Sequence, residues 1–284
     1  MPNTDQTFLA MMDQSSSHPP IEAPAPSLPD LTEVWLETLG WEPGAAQKAK
    51  FQRLYECILE GNRQLNLTRI IEPAEFWEKH LWDSLRGIRR FLSEMGEEHR
   101  SEGSGKERMA TKVAGAVRVI DIGTGAGFPG IPVAIAQPTW QVTLLDSTRK
   151  KIEFLNQCLK ELPLVNGATL VDRAERIGQQ VNHRETYEIA LVRAVAAASV
   201  CAEYALPLLK AGGWAVLYRG QWTLEETALL EPVVQRLGGQ IEAVEEFKTP
   251  LTGGDRHCLY LRKISPTPKE FPRAVGIPPQ RPLE

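Results

Sequence analysis

Cysteine is scarce in this chain, and its four residues lie far apart. Cys57, Cys158, Cys201 and Cys258 form no C-x-x-C pair, and none of the five histidines stands at metal-ligand spacing from one of them. These spacings of cysteine and histidine exclude the common zinc-binding patterns, so we predict no metal site. They also argue against a disulfide scaffold, and we expect buried free thiols in a reducing cytoplasm.

Long apolar runs and a basic excess are missing as well. No stretch approaches about 18 consecutive apolar residues, and the N-terminus lacks the pattern of a secretory signal, so we predict no membrane partner. The formal net charge of −4 gives no overall footprint for nucleic acid, although a local basic patch can exist within an acidic total. With 284 residues, 42% of them hydrophobic, the chain can bury the core of one main domain with appendages.

Composition and apolar spacing divide the chain into five segments. Apolar residues recur at helical spacing from Ala45 to Asn62, and a second helix is expected from Ala74 to about Leu92. Pro- and Ser-rich or unperiodic polar stretches mark the parts without a core. The predicted segments are a disordered N-terminal segment (1–28), a helical extension (29–92), a flexible insertion (93–116), a main domain (117–264) and a tail containing Pro and Arg (265–284).

Strands and helices alternate from Val117 onward, which predicts a parallel sheet with helices on both faces. The last two predicted strands, GGQIEAVEEFK and RHCLYLRKI, are separated only by TPLTGGD and should pair as an antiparallel hairpin. We therefore predict an α/β fold with a mostly parallel seven-stranded sheet that ends in an antiparallel hairpin. This is the Rossmann-like architecture of class I methyltransferases that use S-adenosylmethionine, whereas dinucleotide-binding domains normally lack the hairpin.

A glycine-rich stretch, DIGTGAGFPG, follows the first strand of that domain. Gly125, Gly127 and Gly130 satisfy the G-x-G-x-x-G pattern of dinucleotide-binding proteins, and Asp146 lies near the spacing expected for their ribose-binding acid. An NAD-dependent oxidoreductase is therefore one alternative, and a purely structural strand-to-helix turn is another.

Two details of this stretch favour a methyl donor instead. Asp121 extends the pattern to D-x-G-x-G-x-G, which resembles the first motif of methyltransferases. Pro129 and Pro132 supply no backbone N–H at the start of the following helix, where a pyrophosphate would need donors. A sulfonium ligand carries no phosphate and does not need them.

S-adenosylmethionine suggests a role for each polar position near the strand ends. Glycines at 123, 125 and 127 would let the backbone approach the methionine and ribose portions without Cβ clashes. Asp146 would accept the ribose hydroxyls, although it could also cap the next helix. Ala174 and Glu175 would contact the adenine, with a solvated charged turn as the alternative for Asp172 and Glu175.

Several longer stretches carry a family resemblance: LNLTRI, HLWDSL, DIGTGAGFPGIPVAI, LLDSTRKKIEFL, LVRAVA and GGWAVLYRG. Together, from about Leu31 to the C-terminus, they resemble the RsmG (GidB) family, bacterial enzymes that methylate N7 of a guanine in 16S ribosomal RNA. The resemblance implies S-adenosylmethionine as the cofactor and 16S ribosomal RNA or the small ribosomal subunit as the partner, and we expect a monomer. The implied cofactor contacts are Gly123, Phe128, Asp146, Ser147, Thr148, Ala174, Glu175 and Arg193.

The sequence departs from this family at two places. Tyr218, Arg219 and Gly220 stand where many members have Lys-Gly, and the 93–116 insertion is longer and more polar than expected. The first departure leaves open which cation lies at the end of the fifth strand. The second is expected to change only a surface loop.

Methylation of N7 needs no general base, because this nitrogen has an in-plane lone pair at neutral pH. We therefore expect positioning residues and no proton-shuttling residue, with direct in-line displacement as the mechanism. Arg193 is the candidate positioning residue, and a salt bridge with Glu203 or Glu188 is its structural alternative. His80 and Asp83 share one helical face at i, i+3, where a packing role for His80 is favoured over catalysis.

A ribosomal substrate requires cations for phosphate contacts. Between residues 45 and 93 nine Lys and Arg stand against six Asp and Glu, a local excess of +3. Phe128, Tyr218 and Trp222 could stack on an unpaired guanine, although core packing is the default role of each. The RNA-binding candidates are Arg149, Lys150, Arg219, Arg256 and Arg273.

Three alternatives to a ribosomal RNA methyltransferase stay open. The first is the NAD-dependent oxidoreductase, and the second is a methyltransferase that acts on another RNA or on a small molecule. The third is an RNA-binding or assembly protein with a vestigial donor site.

Overall fold

The computed structural model describes residues 26–92 and 116–284. The predicted disorder of residues 1–28 and the predicted flexible insertion at 93–116 lie outside the described residues, apart from 26–28 and Ala116. The N-terminal part is helical, with elements α1 (Thr32–Leu39), α2 (Ala45–Asn62), α3 (Pro73–Phe76), a π-helical segment (Trp77–Trp82), α4 (Asp83–Arg86) and α5 (Arg89–Leu92).

Beyond residue 115, the strands and helices alternate as predicted. The strands are β1 (Arg118–Ile122), β2 (Gln141–Asp146), β3 (Gly167–Val171), β4 (Tyr187–Arg193), β5 (Leu209–Arg219), β6 (Gly239–Lys248) and β7 (Asp255–Lys263). The helices are α6 (Gly130–Ala136), α7 (Arg149–Glu161), α8 (Ala174–Ile177), α9 (Ala198–Ala205) with a 3-10 turn (Leu206–Leu208), α10 (Leu224–Arg236) and α11 (Ile277–Gln280).

The strands form one seven-stranded sheet in the order β3-β2-β1-β4-β5-β7-β6. β1 to β5 are parallel, β7 runs antiparallel to β5, and β6 pairs with β7 as the predicted antiparallel hairpin. The order reverses between β1 and β4, where a crevice opens at the carboxyl ends of the strands. This is the class I methyltransferase arrangement, so the predicted fold class and its helical N-terminal extension are confirmed.

Helix boundaries follow local capping chemistry. α2 has the predicted bounds, and its buried residues Phe51, Leu54, Tyr55 and Ile58 lie on one face. The second predicted helix begins at Pro73, because Glu72 accepts a hydrogen bond from the Glu75 amide. It is not a single α-helix, since a π-helical segment interrupts it. The short helices α1, α8 and α11 were not predicted individually.

Two apolar clusters cover the two faces of the sheet. The cluster on one face joins β-strand side chains with α6, α7 and the N-terminal helices, and the cluster on the other joins them with α9 and α10. The central strands are buried on both sides, which is why they read as nearly continuous apolar runs. Among the helices of residues 26–92 and 116–284, none is both long and apolar enough to cross a membrane.

Buried polar contacts attach the helical extension to the hairpin side of the sheet. The Glu78 carboxylate is fully buried, and it accepts hydrogen bonds from the amides of Leu251 and Thr252 at 2.6 and 2.9 Å. Arg86 donates to Glu245 of β6 at 2.8 Å. The extension is therefore part of the folded domain and not a loosely attached arm.

Tyr218 of β5 packs tightly between the sheet and this extension. Its hydroxyl donates to the carbonyl of Ser84 at 2.7 Å, and its ring lies against Gly87. A Cβ added at Gly87 would lie 2.2 Å from Cζ of Tyr218. The absence of a side chain at Gly87 is thus what lets α4 approach the sheet. Tyr218 takes its default role in the core, since it is almost fully buried.

We expect Gly87→Ala to lower the free energy of unfolding by about 1–3 kcal/mol, because overpacking displaces Tyr218. The Gly87 φ of −65° suits alanine, so backbone strain does not contribute. Gly220→Ala is the matched control, since nothing lies within 4 Å of its added Cβ, and its effect should stay within about 0.5 kcal/mol. Equal urea-denaturation midpoints for the two variants would contradict this prediction.

Candidate functional site

An open cleft lies at the carboxyl ends of β1 to β4, at the point where the strand order reverses. Its empty space measures about 600 Å³, including the part open to solvent. Both polar and apolar residues line it. The lining residues are Ile122, Gly123, Leu145, Asp146, Ser147, Asp172, Arg173, Ala174, Glu175, Val195, Ala196, Tyr204 and Pro279.

The glycine turn after β1 contributes Gly123 to the lining of this cleft. The amides of Gly123 and Thr124 both donate to the carbonyl of Leu145, which ties the turn to β2. Gly123 has a φ of +70°, and a Cβ there would lie 2.7 Å from Cγ2 of Val195. The turn therefore requires glycine at 123 both for its backbone conformation and for its close packing.

The buried side chain of Asp121 joins the two ends of the turn through hydrogen bonds. One carboxylate oxygen, Oδ2, accepts from the Thr124 hydroxyl at 2.6 Å and from the Gly130 amide at 2.8 Å. The side chain is fully buried, and burial raises its pKa to about 6, against the lowering effect of these two hydrogen bonds. Asp121 thus shapes the turn and does not line the cleft.

Asp146 stands at the end of β2 and faces the cleft. Its Oδ2 accepts from the Gly125 amide at 3.0 Å and its Oδ1 accepts from the Thr148 amide at 2.8 Å. The N-cap of α7 is Thr148 and not Asp146, so the alternative of Asp146 as the N-cap residue is wrong. Its carboxylate links the glycine turn to the residues that precede α7, and Ser147 lines the cleft beside it.

The turn after β3 brings Glu175 into a buried network. The Glu175 carboxylate accepts from the Arg173 guanidinium at 3.1 Å, from the Tyr204 hydroxyl at 3.2 Å and from the Gly276 amide at 3.1 Å. Burial raises its pKa, but the hydrogen bonds from Arg173 and Gly276 outweigh burial and leave the pKa below its ordinary value. The alternative of a solvated charged turn is therefore wrong for Glu175. Asp172, by contrast, is only half-buried and pairs with Arg176.

Arg193 ends β4 and reaches across to the helical extension. Its Nη1 donates to Oδ2 of Asp83 at 2.9 Å and to the Lys79 carbonyl at 3.0 Å. The predicted partners are wrong, because Glu203 pairs with Arg273 and Glu188 pairs with Lys210. Asp83 could not be identified from the sequence, since the contact depends on how the extension docks.

Phe128 lies in the core between the glycine turn and the extension. His80 stacks on its ring, with centroids 4.4 Å apart and an interplanar angle of 10°, and the Arg193 guanidinium lies 5.7 Å from the ring centroid. Only 5% of Phe128 is exposed. It is not among the residues that line the cleft, so it occupies the core position given above as its default.

His80 takes the packing role that the sequence favoured. Its Nε2 and the Thr68 hydroxyl are 2.9 Å apart, while the buried Nδ1 has no hydrogen-bond partner within the described residues. Burial, together with the positive charges of Arg193 and Lys79, lowers the pKa of His80 to about 3. His80 is therefore neutral in the folded protein at neutral pH.

The five RNA-binding candidates occupy different environments. Arg149 and Lys150 are exposed at the start of α7, directly after the cleft residues Asp146 and Ser147. The other three are half-buried and make intramolecular contacts. These contacts join Arg219 to the Ala196 carbonyl, Arg256 to the Asp255 carbonyl and Arg273 to the Glu203 carboxylate.

The sequence does not single out several of the cleft residues as ligand contacts. Val195 and Ala196 belong to the LVRAVA stretch of the family resemblance, but nothing in their own chemistry marks a ligand contact. Tyr204 belongs to an apolar helix, and Pro279 lies in an unperiodic tail. All four cysteines are buried and free, as expected.

We expect acid to destabilise the fold through His80. Because its folded pKa of about 3 lies below the ordinary 6.5, only the unfolded chain binds a proton between these values. This contribution to stability is complete above pH 6.5 and falls as the pH drops, by at most about 1.4 kcal/mol per pH unit. His80→Gln should remove this slope, so that unfolding free energies of the two proteins converge between pH 6.5 and 5. Parallel curves would refute the assignment.

Comparison with known proteins places the chain in one family. The family model described as rRNA small subunit methyltransferase G (GidB) matches residues 47–105 and 108–259. Ribosomal RNA small subunit methyltransferase G of Trichormus variabilis is 58% identical over 256 residues, covering 90% of this chain and 98% of the relative. The protein of the same name from a Synechococcus species is 48% identical over 271 residues, covering 95% and 96%. The chain therefore belongs to the rRNA small subunit methyltransferase G (GidB) family.

Proposed function

We propose that this protein transfers a methyl group from S-adenosylmethionine to N7 of a guanine in 16S ribosomal RNA of the small subunit. The observation that carries the proposal is the cleft at the carboxyl ends of β1 to β4, in a chain of this family. Ligands of open α/β sheets bind at this position. We infer a cytoplasmic location from the same substrate, since ribosomal RNA is the acceptor.

The walls of the cleft suit the methyl donor. Gly123 exposes backbone where a larger residue would clash, and Asp146 offers carboxylate oxygens at the next strand end, as a ribose diol requires. Ala174, Glu175 and Ala196 form a mixed wall for the adenine. When bound there, S-adenosylmethionine would supply an electrophilic methyl group, and direct displacement leaves S-adenosylhomocysteine.

Methylation of guanine N7 requires that the guanine be positioned against the methyl donor, and it requires no proton transfer. The N7 lone pair of guanine is free at neutral pH, so no residue has to remove a proton. Asp83 fixes Arg193 at the end of β4, and this pair connects the cleft edge to the helical extension. We assign the pair a positioning role. His80 is buried and its pKa is lowered to about 3, so its imidazole is too weak a base to suit proton removal.

A dinucleotide fits the glycine turn less well. The Gly130 amide, which stands at the start of α6, is already used by Asp121, and Pro129 and Pro132 have no N–H to offer. A pyrophosphate would find few free donors there. This arrangement supports a methyl donor over NAD.

Arg149 and Lys150 are the best placed cations for the RNA backbone. Both are exposed, and Thr148 alone separates Arg149 from the cleft residue Ser147. Acids outside the extension neutralise part of its basic excess, since Arg53 pairs with Glu161, and Arg86 and Arg90 pair with Glu245. The RNA contact is therefore proposed on the rim formed by the start of α7.

The function is tested by donor binding and by transfer to RNA. S-adenosylhomocysteine should raise the thermal unfolding temperature, whereas NADH should not, because the glycine turn offers few free donors to a pyrophosphate. Tritium from labelled S-adenosylmethionine should appear in small-subunit RNA as N7-methylguanine, and Asp146→Ala should abolish it. Transfer to neither naked RNA nor small-subunit particles would overturn the proposal, and stabilisation by NADH would favour an oxidoreductase.

The RNA rim predicts a separate effect. We expect Arg149→Gln/Lys150→Gln to lower kcat/KM for the RNA substrate and to reduce its logarithmic salt slope by about 2, because two phosphate contacts are lost. S-adenosylhomocysteine affinity should not change. Lys210→Gln is the control, since Lys210 lies near the start of β5, at the end of the parallel strands opposite the cleft. An unchanged salt slope in the double variant would place the RNA elsewhere.

A further inference from the structure

The residues that follow β7 fold back along the domain and end at the cleft. Pro279 of α11 is exposed, and it lines the cleft together with Ala174, Ala196 and Tyr204. The site is therefore built from the strand ends and from the C-terminal segment, which we define as residues 267–280.

Side chains of the main domain hold the first half of this segment through its backbone carbonyls. Arg184 donates to the Thr267 carbonyl and to the Phe271 carbonyl, each at 2.7 Å. Gln179 donates to the Pro272 carbonyl at 2.8 Å. Phe271 is 1% exposed and belongs to the apolar cluster of α9 and α10. Apolar burial and carbonyl contacts thus fix the path of the chain up to residue 272.

A buried ion pair fixes the next residue. Arg273 donates from Nε to Oε1 of Glu203 at 2.9 Å and from Nη2 to Oε2 at 2.7 Å, and its backbone amide donates to Oε1 at 2.8 Å. Glu203 has no exposed surface. A carboxylate in such a position needs these donors, because removing one partner leaves a buried charge unpaired. Arg273 therefore fastens the segment to α9, beside Tyr204.

The last contact that holds the segment involves a residue of the cleft wall. The amide of Gly276 donates to the Glu175 carboxylate, which also binds Arg173 and the Tyr204 hydroxyl. Gly276 has a φ of +84°, a conformation that glycine adopts without strain. The Glu175 carboxylate thus joins the segment to two other residues of the cleft, and Pro279 follows Gly276 by three residues.

We propose that the C-terminal segment is a preformed wall of the methyl-donor cleft, and that Pro279 contacts the adenine ring of the bound donor. This inference rests on the proposed function. The proline ring offers an apolar surface to a flat purine and loses little conformational freedom on binding. The contacts of Arg184, Glu203 and Glu175 hold this surface in place before the donor arrives. The segment therefore raises the affinity of the cleft for the donor. Arg273 holds the segment against α9 through its ion pair with Glu203.

Removal of residues 277–284 tests this wall, because the chain then ends after Gly276 and keeps the contacts of Arg273 and Gly276. We expect calorimetry to show a Kd for S-adenosylhomocysteine raised by about tenfold, which corresponds to about 1.4 kcal/mol. In methyl transfer, KM for S-adenosylmethionine should rise while kcat stays near that of the full chain, as for a contact made equally before and during the reaction.

Point variants separate the contact from effects on folding. Pro279→Ala should raise the Kd by about threefold through lost apolar contact, with the unfolding temperature of the ligand-free protein unchanged. Pro282→Ala is the matched control, an exposed proline of the same tail that does not line the cleft, and its Kd should equal that of the full chain.

Two outcomes would overturn the inference, and they are distinct from failure of the proposed function. If the truncated chain and Pro279→Ala bind S-adenosylhomocysteine as the full chain does, the segment is not a donor wall although the cleft binds the donor. If Pro279→Ala and Pro282→Ala weaken binding equally, the effect is not local to Pro279. If the full chain itself does not bind S-adenosylhomocysteine, the proposed function fails and the inference falls with it.

Discussion

The geometry of the cleft depends on one buried carboxylate. A single oxygen of Asp121 holds the Thr124 hydroxyl and the Gly130 amide, and these two groups mark the beginning and the end of the glycine turn. Because both ends are fixed, Gly123 faces the cleft while Phe128 packs in the core. The cost of burying a carboxylate is visible in its raised pKa. The hydrogen bonds that Thr124 and Gly130 donate to Asp121 offset part of that cost.

The helical extension and the cleft are joined by a small aromatic and ionic cluster. Phe128 comes from the glycine turn, His80 and Asp83 come from the extension, and Arg193 comes from β4. Their contacts connect the segment before the sheet to the strand end that borders the cleft. The extension is therefore in direct contact with the glycine turn through Phe128 and His80.

Arginine in this chain serves structure more often than its sequence pattern indicates. Arg86 and Arg90 bind Glu245, Arg184 binds backbone carbonyls, and Arg273 binds Glu203. Each would count as a surface cation in a charge tally. The guanidinium of an arginine can make several hydrogen bonds at once, so arginine is suited to holding one chain segment against another. Local net charge is therefore a poor guide to an RNA surface unless the partner of each cation is known.

The sequence by itself determined the sheet, the hairpin that closes it, the glycine turn and the family. These features depend on local apolar periodicity, turn residues and contiguous motifs, all of which are written along the chain. Tertiary structure alone decided that Asp83 is the partner of Arg193, that Glu175 is buried, that Phe128 stacks on His80 and that Pro279 reaches the cleft. Each of these joins residues far apart in sequence, so it depends on how the extension and the C-terminal segment pack against the sheet. Packing of that kind follows from the shape and charge of both partners together, and neither partner's own sequence specifies it.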